Sequence, residues 1–233
     1  MAAGEGEPIS SAAKSKNADL PVRALSAVVM LAVAGAALWL GGAWFDAFVI
    51  AIGLVSFGEF ARLVWRATNR IGWRLAGVAF GAAYVGMAAL TMTVLPIGVV
   101  IGIIAVVIAT DTGAYFSGRS IGGPKIAPRI SPSKTWAGLF GGMLAAGLVS
   151  FAFFFSNVGE RAFSVMGAVA LLTGALLAVV AQSGDFFESW LKRKAGMKDS
   201  SNLIPGHGGV LDRVDGLLPV AIVAGILWFQ VHP

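Results

Sequence analysis

The sequence has no cysteine in its 233 residues, which excludes disulfide bonds, a thiolate nucleophile and cysteine-ligated zinc. Charged residues are also scarce: they make up 12% of the chain, whereas soluble domains carry about 25%. Histidine occurs only twice, without the His-Glu-x-x-His spacing of a zinc site. A basic, aromatic-rich stripe of the kind that binds nucleic acid is absent too, so we expect no nucleic-acid partner.

Apolar residues are what the chain has in abundance, at 57%, and the mean hydropathy is +0.82. These values indicate an integral membrane protein. Seven hydrophobic runs approach the ~20 residues needed to cross a bilayer, at 24–41, 44–64, 74–94, 96–112, 136–156, 163–184 and 214–231. Because the backbone must satisfy its own hydrogen bonds in lipid, we predict an all-α, polytopic helical bundle.

The positions of lysine and arginine predict the orientation of this bundle. With a cytoplasmic N-terminus and seven alternating spans, 16 of the 17 basic residues face the cytoplasm and only Arg161 lies outside. Residues 1–22 are expected to form a flexible polar tail, and residues 23–233 the membrane domain. The two long polar loops, within 111–136 and 185–215, both fall on the cytoplasmic face. We therefore expect the active site there, on the cytoplasmic membrane.

The stretch 185–215 is far more polar than its surroundings. A continued sixth helix would place four polar side chains on one face, at Asp185, Glu188, Ser189 and Lys192. Acids at that depth are costly unless they are paired or bind a cation. Asp212 and Asp215, three residues apart, are expected on the opening turn of the last helix, after a glycine turn whose backbone amides could cradle an anion. This combination predicts Mg²⁺ bound jointly with phosphates, shared by Asp185 and Asp212. The alternative is a charged loop that only fixes topology.

The other loop carries Asp111 and several cations that could bind phosphate. It lacks the spacing of a Walker A phosphate loop. Ser131, just before Pro132, is expected to begin a helix capped by hydroxyl groups. Glu59 and Arg62, three residues apart in the second span, are expected to form a structural ion pair.

The pattern SxxKRxxxxKDxxxxxPGHGGxxDRxD, from Ser189 to Asp215, resembles the signature of the phosphatidate cytidylyltransferases, or CDP-diacylglycerol synthases. The loop 111–135, with its Ser-Pro-x-Lys-Thr segment, resembles a second block of that family. The resemblance covers about residues 96–233. One departure is Ala137, where family members often carry glutamate.

The resemblance implies that residues 23–233 form a catalytic domain that joins CTP and phosphatidic acid into CDP-diacylglycerol and pyrophosphate. It also implies Mg²⁺ with a K⁺ alongside, held by Asp185, Asp212 and Asp215, and a homodimer. The residues expected to act in catalysis are Asp185, Lys192, Arg193, Lys198, Asp199, His207, Asp212, Arg213 and Asp215. Those expected to bind substrate are Asp111, Arg119, Lys125, Ser131, Lys134, Thr135, Ser189, Gly206, Gly208 and Gly209.

The residues agree with such a reaction, because an ionised lipid phosphate needs no strong general base. Two alternatives stay open. One is a CTP-dependent enzyme that acts on another membrane lipid. The other is an anion transporter, although transporters place their charges near mid-membrane rather than at one face.

Overall fold

A computed structural model describes the backbone of residues 10–231 and the side chains of residues 20–231. The elements are, in order, α1 (Ser10–Leu40), α2 (Gly42–Ala67), α3 (Ile71–Val94), α4 (Ile97–Ser120), β1 (Lys125–Ala127), β2 (Ser131–Thr135), α5 (Trp136–Val158), a 3₁₀ turn (Gly159–Ala162), α6 (Val165–Lys194), α7 (Leu211–Val214) and α8 (Leu217–Val231). The predicted all-α membrane bundle is confirmed.

Six of these helices, α1 to α6, are long and apolar enough to cross a membrane. The last helix, α8, is apolar but has only 15 residues. The count of seven spans and the side on which the chain begins therefore stay predictions. Both α4 and α6 run past the apolar segments expected from sequence, to Ser120 and Lys194. The last turns of both helices are polar and extend beyond the apolar part of the bundle.

Two local expectations differ from the structure. The helix α1 begins at Ser10, inside the segment 1–22 expected to be a flexible tail, while residues 1–9 lie outside the described part. Ser131 begins the strand β2 rather than a helix. The reason is Pro132, since a residue before proline is driven into extended backbone. The helix α5 starts instead at Trp136, with the Thr135 hydroxyl accepting a hydrogen bond from the Gly138 amide at 3.0 Å.

The strands β1 and β2 form a small antiparallel hairpin between α4 and α5. These two helices approach closely because glycine lies at their interface. A Cβ atom at Gly142 would come within 2.9 Å of the Thr110 carbonyl oxygen. Small residues allow such contact between membrane helices. The polar end of α4 and the hairpin are thereby held against α6, where the acidic residues lie.

Candidate active site

Four carboxyl groups form a row at the polar end of the bundle. Asp215 lies within hydrogen-bonding reach of both Asp185 and Glu188, and Glu188 in turn reaches Asp212. A lysine closes each end of the row: Lys134 pairs with Asp185, and Lys192 with both Glu188 and Asp212. We call Asp185, Asp215, Glu188 and Asp212 the carboxyl row.

The row is assembled by a close approach of two helices. Gly184 precedes Asp185 on α6, and a Cβ atom there would collide with the Asp215 carbonyl oxygen and lie 2.7 Å from Pro219. Glycine at this position therefore allows α6 to contact the break between α7 and α8. The sequence predicted one opening helix for Asp212 and Asp215. In the structure that helix is a four-residue turn, and Asp215 and Gly216 separate it from α8.

Two aspartates of the carboxyl row, Asp212 and Asp215, lie outside the long helices, and their pKa values are shifted in opposite directions. Burial raises the pKa of Asp215, as do its hydrogen bond with Asp185 and the nearby negative charges, and the pKa reaches about 10. Burial also acts to raise the pKa of Asp212, but hydrogen bonds with Glu188, Lys192 and two backbone amides outweigh it and lower the pKa to about 2. The middle of the row thus lacks positive charge, and the Asp212 end does not.

Asp212 is bound to the loop that precedes it. Its carboxylate accepts hydrogen bonds from the amides of Gly209 at 2.8 Å and Ser200 at 3.0 Å, and from Lys192 at 2.7 Å. The Gly209 amide is therefore engaged within the loop, and its phosphate-binding role stays a prediction. Gly206 and Gly208 adopt φ angles of +74° and +82°, which favour glycine.

Glu59 was predicted to pair with Arg62, and this prediction is wrong. Its side chain is 7% exposed and turns toward the loop 195–210 instead. It accepts hydrogen bonds from the hydroxyl groups of Ser200 at 3.0 Å and Ser201 at 2.5 Å. It also accepts from the amides of Val210 at 3.2 Å and Leu211 at 2.7 Å. No local pattern in the sequence indicates this contact, because the partners are at least 141 residues away.

A polar cavity of about 330 Å³ opens beside the row, between α4, the hairpin and α5. Among its lining residues are Asp111, Arg119, Lys134, Thr135 and Gln182. Gln182 is 4% exposed, and its side-chain nitrogen has no hydrogen-bond partner among the described residues. A buried donor without an acceptor is costly, so this amide is a candidate contact for a ligand. Sequence analysis missed Gln182 because it lies within an apolar run.

The remaining predicted residues are more dispersed. Arg193 contacts the carbonyl oxygen of Ile130 at 3.5 Å, which joins the two polar loops. Arg213 donates to the carbonyl oxygen of His207 at 2.8 Å, and the His207 ring lies 2.8 Å from the Ser26 hydroxyl of α1. Other predicted residues that belong to neither the row nor the lining of the polar cavity are Lys125, Ser131, Ser189, Lys198, Asp199 and Gly206.

A second cavity, of about 450 Å³, is almost entirely apolar and lies between α1, α2, α3 and the α7–α8 region. Among the described residues that line it, Arg213 is the one that is charged, and Ile204 and Val210 extend the wall to the loop 195–210. The polar loop therefore lies between an apolar cavity within the bundle and the carboxyl row.

The carboxyl row fits a divalent cation by charge. Once all four carboxyl groups have released their protons, they carry two negative charges more than the two lysines balance, and one Mg²⁺ would balance that excess. No three acidic or histidine side chains within the described residues converge on a single point. Magnesium does not require this, since it binds through one or two carboxylates together with water and substrate phosphates. The pair formed by Asp185 and Asp215 meets that requirement.

Comparison with known proteins gives a consistent set of relatives. A sequence profile of the cytidylyltransferase family matches residues 64–230. A phosphatidate cytidylyltransferase of Brucella suis biovar 1 (strain 1330) is 38% identical over 253 residues, covering 87% of this chain and 91% of that protein. One from Pseudomonas aeruginosa is 42% identical over 147 residues, covering 63% and 53%. One from Haemophilus influenzae is 46% identical over 127 residues, covering 53% and 43%.

Proposed function

The chain belongs to the cytidylyltransferase family, and we infer that it is a membrane enzyme that transfers a cytidylyl group from CTP to phosphatidic acid. The products are CDP-diacylglycerol and pyrophosphate. The observation that carries this inference is the similarity to the Brucella suis enzyme over nearly the whole of both chains. The carboxyl row and the polar cavity supply the features that such a reaction needs.

The reaction joins two polyanions. An oxygen of the lipid phosphate attacks the α-phosphorus of CTP, a new P–O bond forms, and the bond to the bridging oxygen of the β-phosphate breaks. The lipid phosphate has a second pKa near ~6 and is already ionised at neutral pH. No side chain has to remove a proton from it. Catalysis then depends on positioning and on positive charge around the phosphates.

We propose that the nucleotide phosphates enter the polar cavity. Arg119 and Lys134 line it and would neutralise phosphate charge, and the unpaired amide of Gln182 would donate to a phosphate or base oxygen. Lys134 also contacts Asp185, so the cavity and the carboxyl row share one residue. This contact would bring the α-phosphate next to the row.

For the metal, we propose that Asp185 and Asp215 hold one Mg²⁺. Asp212, the third of the acids that the resemblance implies for the metal site, lies at the end of the row. Held by Asp185 and Asp215, the ion supplies electrostatic stabilisation of phosphate oxygens. Lys192 pairs with both Glu188 and Asp212 and would hold these two acids in their places in the row. A neighbouring K⁺ is proposed on the family resemblance alone.

The apolar cavity is proposed to hold an acyl chain of the lipid substrate. It lies in the membrane-embedded part of the bundle, and Arg213 at its rim carries the charge that attracts a phosphate headgroup. A lipid placed there would direct its headgroup toward the loop 195–210. Residues of the signature region 185–215 form both this loop and part of the wall of the apolar cavity.

A cytidylyl-transfer assay tests the proposed function. Purified protein in detergent with phosphatidic acid, CTP and Mg²⁺ should release pyrophosphate and form CDP-diacylglycerol. Diacylglycerol, which lacks the attacking phosphate, should give neither product. If a polyprenol lipid is phosphorylated with release of CDP instead, the chain is a CTP-dependent lipid kinase and the proposal is wrong.

We also propose that the chain lies in the cytoplasmic membrane with its polar loops facing the cytoplasm, and that two copies form a homodimer as the resemblance implies. The orientation rests on the 16-to-1 distribution of basic residues. Since the chain has no native cysteine, single substitutions are clean probes. In intact cells Ser120→Cys should resist an impermeant thiol reagent, and Asn157→Cys should react with it. Labelling of Ser120→Cys from outside would contradict the orientation.

A further inference from the structure

Glu59 is a buried carboxylate that lies outside the carboxyl row. It comes from α2, near the polar end of the bundle, and contacts only residues of the loop 195–210 and the first residue of α7 among its hydrogen-bond partners. Each of its two oxygens accepts two bonds: Oε1 from Ser201 and Val210, and Oε2 from Ser200 and Leu211. All four donors lie in the region that also carries the predicted catalytic residues.

The contacts of Glu59 lead directly to the carboxyl row. The Ser200 hydroxyl lies 3.0 Å from Glu59 and 3.0 Å from Asp212. A hydroxyl has one hydrogen, so it donates to one of these carboxylates at a time. Asp212 in turn accepts from Lys192, which also contacts Glu188. A continuous chain of hydrogen bonds therefore runs from α2, through the loop, to α6.

The loop packs closely against Glu59 at Gly209. Gly209 lies against the Glu59 carboxylate, and a Cβ atom at Gly209 would come within 2.6 Å of its Oε2. Glycine at this position thus lets the backbone approach the carboxylate while the Gly209 amide donates to Asp212. The position of Asp212 and that of Glu59 are fixed by the same short segment of backbone.

We propose that Glu59 is a positioning residue for cytidylyl transfer: it anchors the loop 195–210 to α2 and so holds Asp212 in the carboxyl row. It touches neither the polar cavity nor a lysine among the described residues. Its negative charge is matched by the four donors. This inference rests on the proposed function for its catalytic consequence and on the structure alone for the anchoring.

The test variant is Glu59→Gln, which preserves the size of the side chain. One carboxylate oxygen becomes an amide nitrogen, so two of the four donors lose their acceptor. Misplacement of a catalytic group by about 1 Å can cost 10²-fold. We expect kcat per folded molecule to fall about 10- to 100-fold, while KM for phosphatidic acid changes by less than about threefold. A purely structural role would lower the yield or thermal stability and leave kcat per folded molecule unchanged.

Two further variants serve as comparisons for Glu59→Gln. Glu59→Asp retains all four acceptor positions at a shorter reach, so its kcat should lie between those of the wild type and Glu59→Gln. Asp46→Asn removes an acid from the opposite end of the same helix and should leave kcat within about twofold of wild type. If Glu59→Gln does not fold, Ser201→Ala replaces it, since this change removes one of the four donors. Its kcat should fall about three- to tenfold.

The anchoring itself is measured separately, by thiol labelling of Val210→Cys. Val210 ends the loop and is buried, so a thiol there reacts only when the loop opens, and the chain has no other cysteine. When Glu59→Gln is combined with this cysteine substitution, we expect the thiol to be labelled at least about tenfold faster than with Glu59 intact, since the loop opens more often. Unchanged labelling together with wild-type kcat would overturn the inference. Should the wild type show no cytidylyl transfer, the proposed function fails, but the labelling comparison still decides whether Glu59 anchors the loop.

Discussion

The carboxyl row and Glu59 present two kinds of buried acid within one polar region. Glu59 is surrounded by donors, two hydroxyl groups and two amides, and needs nothing more. Asp215, at the middle of the row, faces two other acids, and its pKa is raised to about 10. Glu59 is buried and Asp215 is partly buried, so both lie largely away from solvent and burial alone does not explain the contrast. What differs is whether the protein itself supplies the balancing charge or hydrogen bonds.

This difference separates a structural acid from a ligand-binding one. A carboxylate whose acceptors are all used holds backbone in place. A group of carboxylates with too few donors is stable only with a proton or a cation, and perturbed ionisation of this kind is typical of functional sites. This difference supports the proposals that the row is the reacting centre and that Glu59 supports the loop beside it.

The largest effect should come from removing charge within the row. Asp185→Asn and Asp215→Asn should each lower kcat by about 10²–10⁴, on the scale of losing a major electrostatic stabiliser. The double variant should lose little more than either single one, because one cation site can be destroyed only once. Steady-state rates across a Mg²⁺ titration provide the measurement. Wild-type kcat and Mg²⁺ response in both single variants would show that these acids are not the metal site.

A smaller loss is expected at Gln182, the buried amide of the polar cavity without a partner. Gln182→Leu keeps the volume and removes the donor, so kcat/KM for CTP should fall about 10- to 100-fold, equivalent to ~1.4–2.7 kcal/mol. Ser183→Ala is the matched control, since the Ser183 hydroxyl donates only to the α6 backbone, at Val180. An unchanged kcat/KM for CTP in Gln182→Leu would mean that the amide does not contact the nucleotide.

Sequence patterns predicted the long helices and the acids that form the row, because both carry local signals. Hydrophobic runs mark α2 to α6, and Asp185 and Asp215 interrupt or border such runs. Glu59 gave no comparable signal. It resembles a helical acid with an arginine three residues later, and only the tertiary fold brings it to Ser200, 141 residues away. Contacts between residues so far apart in the sequence leave no periodic pattern, so the sequence alone does not predict them.

The hairpin and the break before α8 were missed for a different reason. Both depend on single residues that override the pattern around them. Pro132 favours extended backbone in a segment that looked like a capped helix start. Near α8, the close approach of Gly184 to Asp215 and Pro219 accompanies a break within what looked like one helix. Helix packing, rather than local propensity, decides such points.

A still smaller effect is expected at Ala137, where family members often carry glutamate. Ala137 lies in the first turn of α5, where a carboxylate interacts favourably with the helix dipole. It lies outside the carboxyl row, so Ala137→Glu should leave kcat within about tenfold of wild type, or ~1.4 kcal/mol. The cytidylyl-transfer assay at saturating substrate is the measurement. A thousandfold loss would show that the site requires a small residue here.

The smallest effect is one of stability, and its sign separates the two kinds of acid. In the metal-free protein Asp215 keeps a proton that the unfolded chain, with an ordinary aspartate pKa, releases above about pH 4. The folded state then binds more protons, so this group destabilises it increasingly as the pH rises from about 4 toward 10. Asp215→Asn has no such group. Its Tm in EDTA should therefore exceed that of wild type, by about 2–8 °C near pH 8 and by less near pH 5.

Glu59→Gln should do the reverse and lower Tm at both pH values, since it leaves donors without acceptors. Added Mg²⁺ should raise the Tm of the wild type and have little effect on Asp215→Asn, because ligand binding stabilises only a chain that still has the site. Thermal scans of the three proteins, with and without Mg²⁺, measure all of this. If Asp215→Asn melted below the wild type in EDTA at pH 8, the row would be held together as Glu59 is, by the protein's own donors, and the distinction between the two kinds of acid would fail.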